Sequence, residues 1–452
     1  MRQWQGTFQF SASLSLLISI LAPAQPLSWQ ERLSSVAAFA VPGLALWLPS
    51  GYSYGAVLLL LGTLLTLNRW PRQRHEAFTW WFAASMLAMA VVWAAQADPA
   101  EHFGRADRPA KFILGAACLL FVTCYPPRPR ALLAGLAVGS LGAGGLALWQ
   151  MYGLHAERAW GHTNAIQYGN LALCLATMLA LYTGAVWRQL RISVRVLCIL
   201  GVLAGLDASV LSQSRGGWLA LLLALPLGLA WLYMRRRETF RAVGLGVAAI
   251  VVVLMVFNGG VLMERVERME HEIQTYDQRG EAGNSVGQRL EHWRFAWDIA
   301  RERPLLGWGF AGYMAEKADR VAAGRYHPSI VEYKFVHNEL LDQWVKLGIL
   351  GPAMLLLFYA LPLAMFLPKR ERMKNYERDA ELGAHALALR LCGTCIPVLY
   401  IGFGLTQVFF AHNSGIMFYL FMLMLLWAAL RSVERQLDAL APPALASGAL
   451  VQ

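Results

Sequence analysis

Phe335–Arg372 reads FVHNELLDQWVKLGILGPAMLLLFYALPLAMFLPKRER. It runs from a histidine–asparagine pair, through Gly348 and Gly351, into a long apolar segment, and ends in a basic cluster. An apolar segment of roughly 17–25 residues is long enough to cross a bilayer as a helix. Short loops rich in Lys and Arg stay on the cytoplasmic side. The stretch therefore predicts a span over 345–367, with residues 369–378 in the cytoplasm. His337 and Asn338 are left at the opposite mouth of that span.

The rest of the chain repeats the pattern. The 452 residues are 57% hydrophobic and only 15% charged, whereas ordinary soluble domains carry about 25% charged residues. Seventeen Trp and sixteen Met suit a protein facing lipid. Further spans read at 52–68, 77–96, 110–125, 131–150, 165–187, 196–212, 217–234, 242–258, 388–410 and 415–430. Lys/Arg clusters at 69–74, 128–130, 188–195, 235–241, 369–378 and 431–435 fall at every second connection, a self-consistent topology. The net charge of +11 is this orientation signal and not a nucleic-acid surface. Parity demands one crossing before residue 52, for which the short apolar segments 10–24 and 33–48 compete. Leu21–Gln25 resembles a signal-peptide cleavage site, but cleavage there would break the parity. The expectation is one all-α polytopic membrane domain, residues 1–452, with about 12 transmembrane helices and both termini cytoplasmic. A β-barrel would show short alternating strands instead. The six cysteines lie in or at the ends of spans, and Cys392 and Cys395, despite their CxxC spacing, read as packing residues.

One large polar segment, 259–344, lies outside by this topology. Residues 262–274 read as helix, with Glu264 four residues before Arg268. In residues 285–304, Val286, Leu290, Trp293, Trp297 and Ala300 recur on one face at helical spacing. Ser285 is the expected cap and Pro304 the stop. Pro304–Met314 reads as a glycine-rich turn at the membrane surface.

The outer side also carries the chemistry. Eight of ten histidines fall there: His102, His155, His162, His271, His292, His327, His337 and His412. Arg215 is a lone cation in a turn between two spans, a costly placement that points to function. Guanidinium groups bind pyrophosphate bidentately. Imidazole exchanges protons near neutrality, and His337 precedes a helix whose Gly348 and Gly351 permit close packing. His412–Asn413 is a second outer pair without such a helix, and it ranks behind His337. Arg265, Arg158 and His162 stand where they can reach the same cavity. Trp293 reads first as a packing residue and second as a sugar platform. Glu291 and Asp298 remain as other proton acceptors. Asp98, Glu101 and Asp107 read as solvated loop charges, not metal ligands, and no P-loop, Asp-x-Asp or His-Glu-x-x-His motif is present.

His337–Asn338, nine residues, then Gly348-x-x-Gly351 resembles the signature of bacterial O-antigen ligases, inner-membrane enzymes of the O-antigen ligase/polymerase superfamily. Ser285–Tyr313 is similar to that superfamily's loop pattern through Arg289, Trp293, Ala300, Pro304, Gly307 and Gly309. Ser212–Trp218 resembles its Ser-Arg-Gly turn, and Trp160–Asn170 its Gly-x-x-Asn segment. The likeness spans about 150–430 by motif and the whole chain by topology. It implies a GT-C-like fold with a large helical periplasmic loop contributing to the active site. It implies an enzyme, a glycosyltransferase that moves O-antigen glycan from undecaprenyl pyrophosphate to a sugar hydroxyl of lipid A–core, with inversion and without metal or other cofactor. Carried over by motif, Arg215 and Arg289 bind the pyrophosphate, with Arg265 a further candidate. His337 acts as base or positions the acceptor. Arg158, His162, Asn338 and Trp293 are candidates for the cavity lining.

Three rivals stand beside it. An O-antigen polymerase uses the same donor with a lipid-linked acceptor; a single large outer loop favours the ligase. A ligase acting on pilin shares the donor chemistry. A lipid-linked glycan transporter would show inverted repeats and broken midplane helices, and neither is visible here.

Overall fold

The computed structural model describes residues 27–70, 74–97, 104–214, 216–222, 225, 237–279 and 282–440. Among them there is no strand. The first seven helices are α1 (Trp29–Leu44), α2 (Gly51–Leu65), α3 (Ala77–Ala95), α4 (Gly104–Cys124), α5 (Pro129–Leu148), α6 (Ala165–Ala185) and α7 (Ile192–Leu211). They are followed by α8 (Arg237–Arg279), α9 (Ser285–Glu302), α10 (Gly309–Ala322), α11 (Glu339–Leu347), α12 (Leu350–Phe366), α13 (Ala380–Gly404) and α14 (Asn413–Ala439). Six described helices are long and apolar enough to cross a membrane: α3, α5 with its extension to Gly153, α6, α7, α13 and α14. The α2 and α12 helices are apolar but shorter.

Local chemistry explains where these helices start. Ser28 and Glu31 form a capping box at α1, satisfying two otherwise orphaned N–H groups. Asn164 caps α6 through its Oδ1, which accepts from Gln167 N at 2.9 Å. Asp379 caps α13, accepting from Glu381 N and Leu382 N. Small residues set the helix spacing. A Cβ on Gly139 would strike the Pro42 carbonyl of α1, and one on Gly144 would strike Ala204 of α7. Helices in lipid associate by such close packing, because lipid tails are as apolar as the helices themselves. The α14 helix lies at the centre, buried without a break from Ser414 to Leu430.

The α9 and α10 helices, the turn at Pro328–Ile330 and α11 make a second, smaller core of Phe295, Ile299, Tyr313, Ile330, Val336 and Val345. It caps one end of the bundle. At the other end Arg390 and Arg431 both pair with Glu434, beside a cavity of about 290 Å³ that Arg372 also lines.

Four readings change. The span predicted over 345–367 is broken: α11 ends at Leu347, and α12 starts at Leu350 after the turn at Gly348. The helices read separately at 242–258 and 262–274 are one, since α8 runs unbroken from Arg237 to Arg279. The α9 cap is Asn284, whose Oδ1 accepts from Gly287 N at 2.7 Å, one residue before the predicted Ser285. Its buried face is Gly287, Glu291, His292, Phe295, Ala296 and Ile299 together with Ala300, while Trp297 is 51% exposed. Hydrophobic spacing misplaced that face because Glu291 and His292 are buried polar groups with distant partners. Glu264 and Arg268 pair as expected, and the six cysteines are free, with Cys392 and Cys395 buried in α13. Segment 10–24 and most of 217–234 lie outside the described residues.

Candidate functional site

The pair His337–Asn338 sits where the small core meets the bundle. Asp342 and Lys346, one turn apart on α11, are both buried and paired at 2.7 Å. Asp342 also accepts from Val336 N at 3.0 Å, and Lys346 Nζ donates to the Lys334 carbonyl at 3.2 Å. A buried ion pair repays its desolvation only when further hydrogen bonds satisfy it. Here those bonds strap residues 334–336 to α11. The chain must then turn sharply to enter the helix, and it does so at His337, whose φ is 58°. Asn338 caps α11, accepting from Leu341 N at 3.0 Å, while its amide donates to the Leu405 carbonyl at 3.4 Å.

The glycines close the other end of the same element. Gly348 has φ 62°, and a Cβ there would overlap the Leu305 carbonyl. Gly307, with φ 68°, faces the backbone of Lys346 and Gly348 just as closely. Trp308 N donates to Val345 O and Ile349 N to Pro304 O, both at 2.9 Å. The glycine-rich turn thus docks on the end of α11. Gly351 lets α12 approach the Gln343 carbonyl.

Around His337 the polar contacts are specific. Its Nδ1 lies 2.6 Å from Gln407 Oε1, and Gln407 Nε2 lies 2.8 Å from His412 Nε2. With Oε1, which can only accept, facing the ring, Nδ1 carries the proton and Nε2 keeps its lone pair. The Tyr333 ring stands edge-on at 5.2 Å and the His292 ring at 6.2 Å. Burial lowers the His337 pKa from its usual 6.5, and the nearby Arg289 charge lowers it further, against a raising contribution from Gln407. His292, fully buried and bonded to Tyr313 Oη at 3.0 Å, is pushed down to about 2 by burial and then by Lys317. Burial, then the Lys346 charge, holds Lys317 down to about 8. The site thus has a neutral imidazole beside guanidinium and ammonium groups, which suits proton abstraction next to bound anions.

The Ser-Arg-Gly turn reaches the same place. Ser214 Oγ lies 2.9 Å from Asn170 Oδ1 on α6. A Cβ on Gly216 would overlap Thr406 Oγ1, one residue before Gln407. Arg215 itself lies outside the described residues, as do Asp98 and Glu101. Arg158 Nε donates to the Ser212 carbonyl at 3.1 Å, so Arg158 borders that turn. His162 is exposed ahead of α6. Arg265 stands on α8, and its side chain lies outside the described residues. Trp293 packs against the small core itself. Glu291 accepts from Tyr276 Oη at 2.9 Å and His327 N at 3.0 Å, and Asp298 accepts from Tyr326 Oη at 2.7 Å. Both carboxylates are engaged within the loop. Asp107 pairs with Lys111. Among the described residues no group of three His, Cys, Asp or Glu is placed to hold a metal.

Two side chains escaped the sequence reading, and a third was ranked too low. Gln407 ends an apolar run and carries no motif. His412, ranked behind His337, is one amide away from it. Arg108 sits in the loop read for its acidic residues; its Nε donates to the Ala411 carbonyl at 3.1 Å, and its guanidinium lies over Trp93 and Phe335.

Residues 200–356 match a family model described as O-antigen ligase. The matched stretch contains Arg215, Arg289, His337, Gly348 and Gly351. An uncharacterized protein of Haemophilus influenzae is 24% identical over 386 residues, 82% of this chain and 92% of the relative.

Proposed function

We propose that this chain, a member of the O-antigen ligase/polymerase superfamily through its domain at residues 200–356, is a ligase that moves O-antigen glycan from undecaprenyl pyrophosphate to lipid A–core. The reaction takes place at the periplasmic face of the inner membrane, in a GT-C-like bundle of about twelve spans with both termini cytoplasmic. The observation that supports it best is the state of His337: Nδ1 bonded to Gln407 Oε1, Nε2 bare, and Arg289 close enough to lower its pKa. Nε2 accepts the proton of the acceptor hydroxyl as that oxygen attacks the anomeric carbon. The bond from that carbon to the phosphate oxygen breaks from the opposite side, so the configuration inverts. Undecaprenyl pyrophosphate leaves, its charge met by Arg215 and Arg289, with Arg265 a further candidate. Arg158, bonded to the Ser212 carbonyl, and His162 ahead of α6 are the further candidates for lining the substrate path. Asn338 keeps the His337 backbone in place, and Trp293 supports α9 from the small core. These groups perform the chemistry without a metal.

Purified protein in liposomes, given undecaprenyl-pyrophosphate glycan and lipid A–core with EDTA and no nucleotide, tests the reading. Glycan-capped lipid A is the expected product. His337→Ala should lower the rate about 10²–10⁴-fold, and Arg215→Ala or Arg289→Ala about 10²–10³-fold each. Chain growth on the lipid donor in place of capped lipid A would make the protein a polymerase. Transfer to pilin alone would make it a protein ligase, and glycan movement without any new bond would return it to transport.

A further inference from the structure

The loop that joins α13 to α14, residues 405–412, carries no motif, yet it is anchored from several sides. The Glu339 carboxylate accepts from Phe409 N at 3.2 Å and Phe410 N at 3.0 Å. Arg108 Nε donates to Ala411 O, and Asn338 Nδ2 donates to Leu405 O. Anchors from α4 and α11 thus hold a turn whose polar side chains, Gln407 and His412, point at His337 and at each other.

An imidazole serves as base at Nε2 only if its proton stays on Nδ1, and in water a free imidazole is not held in that form. A hydrogen bond to Nδ1–H selects the tautomer. The Gln407 amide has a donor end and an acceptor end of nearly equal shape, so Gln407 alone would not fix which end faces His337. His412 does so when its own proton sits on Nδ1: its Nε2 lies 2.8 Å from Gln407 Nε2 and then accepts, which turns Oε1 toward His337. We propose that Gln407 and His412 are positioning residues for the reaction, a relay that keeps the His337 proton on Nδ1 and leaves Nε2 bare toward the acceptor hydroxyl. This rests on the reading of His337 as the base.

The relay requires neutral His412. Burial, then the Arg108 charge, lowers its pKa to about 4, so at neutral pH it keeps one lone pair, and the relay places that lone pair on Nε2 and the proton on Nδ1. The groups acting on His337 itself are Arg289 and His292 of α9, Lys317 of α10, Tyr333 ahead of α11, Asp342 of α11 and His412.

The test is nitrogen NMR of the full-length protein labelled with ¹⁵N-histidine in lipid nanodiscs, with the His337 signals assigned by their loss in His337→Ala. Wild type should show His337 neutral, protonated at Nδ1 and bare at Nε2. Gln407→Leu should redistribute the proton between the two nitrogens and lower kcat about 10–10²-fold, within the 10²–10⁴ that a base supplies as a whole, with KM for the donor unchanged. Gln407→Glu keeps an acceptor on Nδ1 and should retain the tautomer, while its charge moves the acid limb of the pH–rate profile upward. His412→Phe should let the amide turn over and resemble Gln407→Leu. Wild-type His337 protonated at Nε2 would overturn the proposal. So would Gln407→Leu that leaves both tautomer and pH profile as in wild type while remaining folded. If wild type transfers no glycan, the ligase reading fails on its own, and the NMR comparison still decides the relay.

Discussion

His337 adopts a left-handed backbone that costs a side-chain-bearing residue of order 1–3 kcal/mol. The surrounding bonds from Asp342, Lys346 and Asn338 hold it there. Its lowered pKa has a sign that can be checked. A general base works only when unprotonated, and burial with Arg289 keeps His337 unprotonated below the usual 6.5. Ligation should therefore persist as pH falls through 6.5 and decline only at a lower pH. Arg289→Met removes one of the lowering charges. Its acid limb should move to higher pH in addition to the loss of rate, and a pH–rate series on both proteins reads this directly. His292 makes a parallel statement about stability. It is buried and neutral in the fold, with its pKa down to about 2, while in the unfolded chain it titrates near 6.5. Below pH 6.5 the unfolded state gains a proton that the folded state does not take up. Stability is thus complete above that pH and falls below it, by up to about 1.4 kcal/mol per pH unit for one such group. Thermal unfolding between pH 7 and 5 should show a drop that is smaller in His292→Gln.

At the scale of elements, α11 is a short rigid bracket. Asn338 and Gly348 set its two ends, and the Asp342–Lys346 pair fastens its inner face to the chain before His337. Lys346→Met leaves Asp342 buried and unpaired, and removing one partner of a buried pair costs about 3–5 kcal/mol. Replacing both, Asp342→Leu with Lys346→Met, should cost less than the single change, although Val336 N then loses its acceptor. Gly348→Ala combines a strained backbone with overlap on Leu305, so a loss of about 3 kcal/mol or more is expected. A thermal-shift series on the purified protein ranks all three variants. The His337–Asn338 pair and the two glycines stood out in the sequence as a motif, but Asn338 as a cap and Gly348 as a positive-φ turn were not read there. The beginning of α12 was not legible either, since Leu347–Leu350 is as apolar as the span and only contact with Pro304 and Leu305 reveals the break. The buried face of α9 was missed for a related reason: His292 and Glu291 read as solvent-facing until Tyr313 and Tyr276 are brought beside them. Gln407 was the least legible, 70 residues from the histidine it contacts and set in a turn that reads as the tail of a span.

Over the whole molecule, α12, α13 and α14 carry the chain three times between two chemically different ends. One end holds the turn 405–412, with no Lys or Arg, beneath the small core and its histidines. The other holds residues 367–379 with Lys369, Arg370, Arg372, Lys374 and Arg378, above the Arg390–Glu434 pair. Loops rich in Lys and Arg remain cytoplasmic, so the proposed topology puts the basic end inside and His337 outside. A lipid-linked donor that reaches the site from the outer leaflet requires that arrangement, and the reverse would close the site to it. The sidedness is measurable with two exposed positions. Ala323 lies beyond α10 at the histidine end, and Lys374 lies in the basic loop. In intact cells with a permeable outer membrane, a charged maleimide should label Ala323→Cys at once and Lys374→Cys only after the inner membrane is broken. The native cysteines, buried or nearly so, give the background in the unmodified protein. Labelling of Lys374→Cys in intact cells, with Ala323→Cys protected, would invert the topology and remove the periplasmic site from consideration.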